Sequence, residues 1–195
     1  RLWENMVGRS WGFWSCFYPE LQSMFTEQLG SISLEEFYHA INKVQKSVIR
    51  TESDEVTYNL HVMLRFDLEL DLLNGELEIS DLPQVWNERF QSDFGVAPPD
   101  DRQGVLQDVH WYSGTIGGEF QGYTLGNILA AQFFERMLDN FPKVSAEIEV
   151  GKFGTLHQWL RENIYQHGRK FSATELIQLV TGSSLSIEPY LEYLR

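Results

Sequence analysis

The side chains best suited to bind or activate a small substrate lie close together in one glycine-rich stretch, residues 104–127. This stretch contains Gln107, Asp108, His110 and Tyr123, which can donate, accept or transfer protons at a ligand. Its six glycines cost backbone entropy, and such glycines usually occur where a chain turns sharply or approaches a ligand. The same composition is also typical of a long surface loop, so these residues alone leave both interpretations open.

Two shorter patterns match known catalytic or metal sites, but neither has the context that its chemistry needs. Residues 8–12 match the nucleophile elbow Gly-x-Ser-x-Gly, which places Ser10 between a strand and a helix. The residues before Ser10 follow helical spacing, so we interpret this match as chance. Glu36 and His39 form a Glu-x-x-His pair, but a carboxylate-bridged di-metal bundle needs two such pairs and the sequence contains one. His39 is therefore expected to be an ordinary, partly exposed histidine.

The longest element expected to position these side chains covers residues 56–72, where every even-numbered residue is apolar. Such alternation is typical of a β-strand, but the run is much longer than the usual strand of roughly 3–10 residues and is rich in Leu, Glu, Asp and Arg. We therefore predict a helix with two apolar stripes, one containing Leu64 and Leu68 and the other Val62 and Leu70. Thr51 is predicted to cap this helix.

Arg50 stands directly before the predicted cap at Thr51. Its guanidinium could form a fork around a carboxylate or phosphate of a ligand. A salt bridge to Glu52, Asp54 or Glu55 is the alternative, and the composition of this segment favours it.

Helix start and stop signals predict helices along the rest of the chain. Pro19 is expected to open a helix over residues 20–29, and Ser33 with Glu36 forms a predicted capping box for a helix to about residue 42. Asp81 with Pro83 is expected to begin a helix to about residue 94, followed by helices near residues 123–140, 143–150, 153–166, 173–181 and 186–194. The prediction is an all-α, multi-helix array that forms a single region over residues 1–195 without an internal boundary.

Composition excludes several classes of function. The chain of 195 residues has a formal net charge of −13 and a pI near 4.7, so nucleic acid and anionic membranes are unsuitable partners. No apolar run reaches the roughly 18 residues of a membrane-spanning helix, and no signal peptide is visible. Cys16 is the only cysteine, which excludes an internal disulfide and fits a reducing compartment. The sequence therefore predicts a soluble globular protein.

Three segments, residues 1–10, 49–58 and 104–111, resemble three successive signatures of the thermostable, Taq-type zinc carboxypeptidases, in the order and spacing of that family. The similarity continues through residues 123–127 and 132–134 and covers essentially the whole chain. The resemblance implies an all-helical hydrolase with a central cleft, cytoplasmic and homodimeric. Such an enzyme removes C-terminal amino acids from peptides that have a free C-terminus.

The resemblance also implies where the zinc of such a metallopeptidase is bound. The family holds zinc with two histidines of a His-Glu-x-x-His helix and with a glutamate in a His-Glu-Ser-Gln segment, which would end directly before Arg1. The chain is therefore expected to be the C-terminal half of the enzyme, a fragment whose partner is the N-terminal half. It is expected to bind no metal itself. Without zinc to polarise the carbonyl and activate water, it is expected to be inactive alone.

Roles for five residues of this chain follow from the same resemblance. Arg50 corresponds to the cation that binds the free terminal carboxylate of the substrate. His110 and Tyr123 correspond to the catalytic donors that stabilise the oxyanion. Gln107 and Asp108 belong to the substrate-binding side, where they orient His110 or the substrate backbone.

The sequence departs from the family pattern at two places. Ser53 stands where the family more often has alanine, and residues 119–122 replace an aromatic-proline run that usually precedes the tyrosine. A non-catalytic helical peptide-binding module derived from such an enzyme is the alternative function. A chain cut from a larger helical enzyme is also expected to expose apolar area, here at Leu2, Trp3 and residues 11–17.

Overall fold

The secondary-structure elements are all helices in residues 1–111 and 119–195, which are the residues that this computed structural model describes. The prediction of an all-α fold is confirmed, and none of the described helices is long and apolar enough to cross a bilayer. Residues 112–118 of the glycine-rich stretch lie outside the described residues. The α-helices are α1 (Trp11–Met24), α2 (Thr26–Leu29), α3 (Leu34–Ile41), α4 (Tyr58–Asn74), α5 (Leu82–Phe94), α6 (Gly122–Asn140), α7 (Val144–Ile148), α8 (Gly154–Asn163), α9 (Ala173–Thr181) and α10 (Glu188–Tyr193).

The chain divides into two compact units. The first unit contains residues 1–42 and 126–195, and the second contains residues 43–125. Helix α6 begins in the second unit and continues in the first. The single helical region without an internal boundary stays a prediction.

The core of the first unit is formed by apolar faces of α6 to α10 together with the π-helical turn Trp3–Val7. Met137 and Leu156 are fully buried in it, and truncation of such a side chain to alanine typically costs about 2–5 kcal/mol. Leu2 also belongs to this core, so its predicted exposure was wrong. Trp3 and Trp11 are 36% and 44% exposed, as expected.

Helix α1 begins after Ser10, whose hydroxyl accepts a hydrogen bond from the backbone N–H of Phe13 and donates one to the carbonyl of Val7. Ser10 is thus a helix N-cap, the role for which serine is strongly preferred. This local role agrees with the interpretation that the Gly-x-Ser-x-Gly match arose by chance.

The predicted helix start at Pro19 was wrong, because α1 continues through Pro19 to Met24. A proline inside a helix removes one backbone hydrogen bond and usually bends or ends the helix. Ring contacts of the two preceding residues, Phe17 with Phe153 and Tyr18 with Phe37, help to hold α1 in place at this point. The cap at Ser10 and these tertiary contacts therefore outweigh the local signal of the proline.

The predicted capping box at the start of α3 is confirmed. The Ser33 hydroxyl accepts a hydrogen bond from the backbone N–H of Glu36, and the Glu36 carboxylate accepts one from the backbone N–H of Ser33. His39, in the last turn of α3, is exposed, which fits its expected role as an ordinary surface histidine.

Helices α4 and α5 share the core of the second unit, where Leu64 and Leu68 cluster with Trp86 and Phe90. The apolar stripe predicted for Leu64 and Leu68 is confirmed. The second predicted stripe is buried only in part, since Leu70 is 39% exposed. A further face of α4 instead buries polar and charged side chains, namely Asn59, His61, Arg65 and Glu69.

Helix α4 begins at Tyr58, and the predicted cap Thr51 lies in a preceding 3₁₀ turn, so that prediction was wrong. Asp54 supplies hydrogen-bond acceptors at this end of the helix. Its carboxylate accepts from the backbone N–H groups of Val56 and Thr57 and from the Thr57 hydroxyl. Partial burial raises the pKa of Asp54, but the hydrogen bonds from Thr57 and its neighbours outweigh burial and lower the pKa below its usual value.

Candidate active site

Arg50 lies in the 3₁₀ turn before α4, with 15% of its side chain exposed. Its Nη1 donates a hydrogen bond to the Tyr58 hydroxyl at 3.0 Å, and its Nε lies 3.6 Å from Oδ2 of Asp108. The Cζ atom of Arg50 is 5.1 Å from the ring centroid of Phe120 and 5.7 Å from that of Tyr123. The ion-pair partner of Arg50 is therefore Asp108, which is far away in sequence, whereas composition had favoured a carboxylate in the next few residues.

Gln107 holds the backbone on which Arg50 is carried. Its Oε1 accepts a hydrogen bond from the backbone N–H of Arg50 at 2.8 Å. Its Nε2 donates to the carbonyls of Val48 and Gln103, both at 2.8 Å. The bonds to Arg50 and Val48 join the segment before α4 to the 3₁₀ turn Val105–Gln107. The geometry thus supports a role in positioning Arg50, and direct substrate binding by Gln107 stays a prediction.

Asp108, His110 and Tyr123 form a connected chain of polar side chains. Oδ1 of the buried Asp108 accepts a hydrogen bond from the backbone N–H of His110 at 3.1 Å and also contacts Nδ1 of the His110 ring. Because an ionised carboxylate is an acceptor, Nδ1 of His110 carries the hydrogen. Nε2 of His110 lies 3.2 Å from the Tyr123 hydroxyl. Nε2 therefore accepts from Tyr123 when the ring is neutral and donates when the ring is charged.

All five residues predicted for the site lie together in the second unit, and each contacts another member of the set. The arrangement can present a guanidinium to a carboxylate and, through His110 and Tyr123, hydrogen-bond donors to a negatively charged oxygen. His110 retains 18% exposure of its side chain, so a ligand can reach it.

Comparison with known proteins shows the family. The model of the carboxypeptidase Taq (M32) metallopeptidases matches residues 1–195, which is the whole chain. The chain belongs to the M32 metallopeptidase family. Thermostable carboxypeptidase 1 of Thermus thermophilus is 46% identical over 194 residues, and carboxypeptidase 1 of Bacillus subtilis is 38% identical over 193 residues. A crystal structure of the M32 carboxypeptidase from Deinococcus radiodurans is 49% identical and superposes with a TM-score of 0.95.

The chain spans only part of the length of these M32 relatives. The alignments cover 100% of this chain with the T. thermophilus protein, 99% with the B. subtilis protein and 100% with the D. radiodurans structure. They cover 38% of each of the first two proteins and 39% of the third. The family predicted from the three signatures is confirmed, and the activity of a whole M32 enzyme is a matter of proposal for this chain.

Four residues at or beside the predicted M32 site were missed by the sequence analysis. Tyr58 and Phe120 contact Arg50 itself. His61 contacts Ser53, three residues after Arg50, and Arg65 contacts Trp111, the residue next to His110. Tyr58, His61 and Arg65 are three and four residues apart in sequence, the spacing that places side chains on one face of a helix. This spacing was the available signal. It was hidden by the alternation of apolar residues at the even-numbered positions between them.

His61 is buried under the segment that carries Arg50. Its Nε2 lies 2.7 Å from the hydroxyl of Ser53, and its ring packs 4.5 Å from that of Phe94, measured between centroids. Burial lowers the pKa of His61 to about 4, and the positive charge of Arg50 acts in the same direction. A hydrogen bond to the Ser47 backbone and the charge of Asp54 oppose this shift.

The buried ring of His61 is expected to make the protein less stable in mild acid. The unfolded chain protonates its histidine at a pKa near 6.5, whereas in the folded protein this pKa is about 4, so the unfolded state binds more protons between these values. Stability is therefore fully present above about pH 6.5 and falls as the pH decreases towards about 4. From about pH 7 to about pH 5 the loss in unfolding free energy is expected to be about 2 kcal/mol, measurable by urea unfolding.

The variant His61→Gln, which does not titrate in this range, should lose this part of the pH dependence. His39→Gln is the matched control, because His39 is exposed on α3. Equal pH slopes in the original protein and in His61→Gln would contradict the assignment.

M32 enzymes are metallopeptidases, which implies a bound metal ion. Within residues 1–111 and 119–195, no three His, Cys, Asp or Glu side chains lie together in a way that could hold one. Asp108 and His110 are instead bonded to each other and to the neighbouring Arg50 and Tyr123. The residues in this part of the chain do not fit a metal, and the roles proposed below are derived from the side chains alone.

Proposed function

We propose that this chain forms the substrate-binding and oxyanion-binding side of the active site of a zinc carboxypeptidase, which releases C-terminal amino acids from peptides. One observation carries the proposal, namely the guanidinium of Arg50 among the rings of Tyr58, Phe120 and Tyr123. Among the described residues, the hydrogen-bond acceptor of this guanidinium is the Tyr58 hydroxyl. The planar group therefore keeps donors for an incoming carboxylate.

The low exposure of Arg50 supports recognition of a free C-terminus. Aromatic rings on several sides exclude water, so an ion pair with a substrate carboxylate is screened less than at an open surface. Asp108 already balances part of the charge near Nε, while Gln107 fixes the backbone at Arg50. A peptide whose terminal carboxylate is replaced by a neutral amide would leave the guanidinium with fewer acceptors, and this difference gives specificity for chain ends.

His110 and Tyr123 are proposed to stabilise the oxyanion that forms at the scissile carbonyl. Asp108 holds the hydrogen of His110 on Nδ1, which leaves Nε2 and the Tyr123 hydroxyl facing each other at 3.2 Å. The pair shares one hydrogen bond in the ground state and can turn a donor towards a developing negative charge. Loss of one such donor typically lowers kcat by about 100-fold to 1,000-fold.

Zinc is part of this proposal, with its ligands in the portion of an M32 enzyme that this chain does not match. The cytoplasmic location, the homodimer and the assembly with an N-terminal portion, all implied by the resemblance, belong to the same proposal. A peptide with a free C-terminus is the proposed substrate. The present chain on its own is proposed to be inactive.

The complete reading frame that contains this chain provides the test. The purified product should release the C-terminal residue from an N-terminally blocked dipeptide and should leave the C-terminal amide of that dipeptide intact. A chelator should abolish the release, and added zinc should restore it. Binding of the free dipeptide without any release, in a zinc-loaded preparation, would contradict the enzymatic proposal and indicate a peptide-binding module.

A further inference from the structure

Arg65 of α4 is a fully buried arginine that the proposed chemistry does not use. Its side chain is 1% exposed, and its Nη1 donates to Oε2 of Glu69 at 3.0 Å, with the Glu69 side chain 7% exposed. Among the described residues, Nε of Arg65 has no hydrogen-bond partner although it is buried. Burying such a pair costs desolvation energy, and apolar residues of similar volume often stabilise a core equally well. The pair is therefore poorly explained by stability alone.

The face of the Arg65 guanidinium is covered by Trp111, the residue next to His110. The Cζ atom of Arg65 lies 3.2 Å from the centroid of the Trp111 ring, and Nε1 of Trp111 donates to the carbonyl of Val105 at 2.7 Å. Trp111 also borders an apolar hollow of about 550 Å³, whose lining includes Leu72 and Leu82. Because the ring is not enclosed by close packing on that side, its plane is held by the contact with Arg65, the bond to Val105 and an edge-to-face contact with Trp86, at 6.2 Å between ring centroids.

Arg65 also interacts electrostatically with Asp108, whose carboxylate holds the ring of His110. Burial lowers the pKa of Arg65, whereas the charges of Glu69 and Asp108 oppose that change. The electrostatic interaction is mutual, so the charge of Arg65 is felt at Asp108. Arg50 is the other cation near Asp108. The Cζ atoms of Arg50 and Arg65 lie 5.1 Å and 5.3 Å from the ring centroid of Phe120. The charges of Arg50 and Arg65 thus both act on Asp108, while its Oδ1 holds His110.

We propose that Arg65 is a positioning residue for His110, which acts through the plane of Trp111 and through the charge of Asp108. Helix α4 then carries two separate supports, Tyr58 for the guanidinium of Arg50 and Arg65 for the ring of His110. The catalytic consequence rests on the proposed function of His110 as an oxyanion donor. The structural consequence does not depend on it.

The double variant R65M/E69Q in the complete protein tests this proposal. Arg65→Met alone removes the guanidinium that lies beside the buried carboxylate of Glu69, which is expected to destabilise the fold strongly. The double variant removes both charges at similar volume and should fold, as thermal unfolding will show. Its crystal structure should show the Trp111 ring rotated and the Nε2 of His110 beyond hydrogen-bond distance of the Tyr123 hydroxyl. Its kcat should fall about 10-fold to 100-fold, because displacements of this size disturb a catalytic geometry, while KM changes little since Arg50 is intact.

The ion pair between Arg89 of α5 and Asp67 of α4 offers the matched control. Nη2 of Arg89 lies 3.0 Å from Oδ2 of Asp67, which is on the same helix as Arg65, but the two side chains are 39% and 47% exposed. The variant D67N/R89M should leave both the His110 geometry and kcat unchanged. A folded R65M/E69Q protein with an unmoved His110 ring overturns the proposal, whatever its activity. If the ring moves but the unmodified complete protein hydrolyses no peptide, the positioning role stands and the proposed function fails.

Discussion

Replacement of Arg50 by methionine in the complete protein is expected to raise KM for peptides with a free C-terminus by about 100-fold or more, with little change in the unfolding temperature. Hydrogen bonds to a charged group contribute about 1.5–3 kcal/mol each, so loss of a two-donor contact removes roughly 3 kcal/mol of binding energy. Methionine keeps an unbranched stem that can pack against the rings of Phe120 and Tyr123. Asp108 loses its partner at Nε but keeps its bonds to His110.

Specificity for the chain end is the decisive measurement for this prediction. Binding of the C-terminal amide of the same peptide, measured as inhibition, should be equal in the original protein and in Arg50→Met. Arg50→Lys should recover only part of the loss, because an ammonium keeps the charge but not the planar fork. Arg89→Met, at a partly exposed arginine away from the site, is the matched control and should leave KM unchanged. An equal weakening for free and amidated peptides would remove Arg50 from carboxylate recognition.

The sequence was sufficient for the fold class because most helix signals in this chain are local. The capping box at Ser33 and Glu36 depends on neighbouring residues and was placed correctly. The end of α4 at Gly75, with φ 73°, is likewise a local left-handed turn. The continuation of α1 through Pro19 depends on more than local preference. Pro19 is a strong local signal, yet ring contacts with residues distant in sequence keep the helix continuous.

The site itself could be predicted only in part, and the reason is the buried polar face of α4. A hydrophobic pattern assigns apolar residues to the core and polar residues to solvent, so His61, Arg65 and Glu69 could not be assigned to the interior. Each of these side chains is buried beside a partner. His61 contacts Ser53 and Arg65 contacts Trp111, and both of these partners lie in segments outside α4. The five residues assigned by the resemblance, in contrast, lie together in the second unit, because the resemblance already contained their tertiary arrangement.

The role of Gln107 illustrates the same limit at a single residue. The resemblance predicted that it orients His110 or the substrate backbone, which stays a prediction, and its amide bonds the backbone of Val48, Arg50 and Gln103. Nothing in the sequence indicates which donors and acceptors an amide will find, since the N–H that it accepts from at Arg50 is 57 residues away. An amide suits this position because it can accept from one backbone group and donate to two others at the same time.

Replacement of Asp108 by asparagine is expected to lower kcat about 100-fold or more, although the side chain keeps its shape. Oδ1 of Asp108 accepts from the backbone N–H and the Nδ1–H of His110, while Oδ2 faces Nε of Arg50. If the asparagine places its NH₂ towards His110, this donor faces the backbone N–H and the Nδ1–H of His110, which are also donors. The ring must then change tautomer. If the asparagine places its NH₂ towards Arg50, the amide faces the guanidinium donor. The first orientation disturbs His110, the proposed oxyanion-binding residue, and the second disturbs Arg50, the proposed carboxylate-binding residue. A change of histidine tautomer reduces catalysis severely.

A pair of tyrosine variants separates the proposed oxyanion-binding role of His110 from the proposed carboxylate-binding role of Arg50. Tyr123→Phe removes the hydroxyl that lies 3.2 Å from Nε2 of His110, and it should lower kcat about 100-fold with KM nearly unchanged. Tyr58→Phe removes the hydroxyl that accepts from Nη1 of Arg50 at 3.0 Å, and it should raise KM while kcat stays within about threefold. Steady-state kinetics of both variants on one free peptide measure the split. If Tyr123→Phe changes KM alone, its hydroxyl binds substrate in the ground state, and the oxyanion must be assigned to other donors.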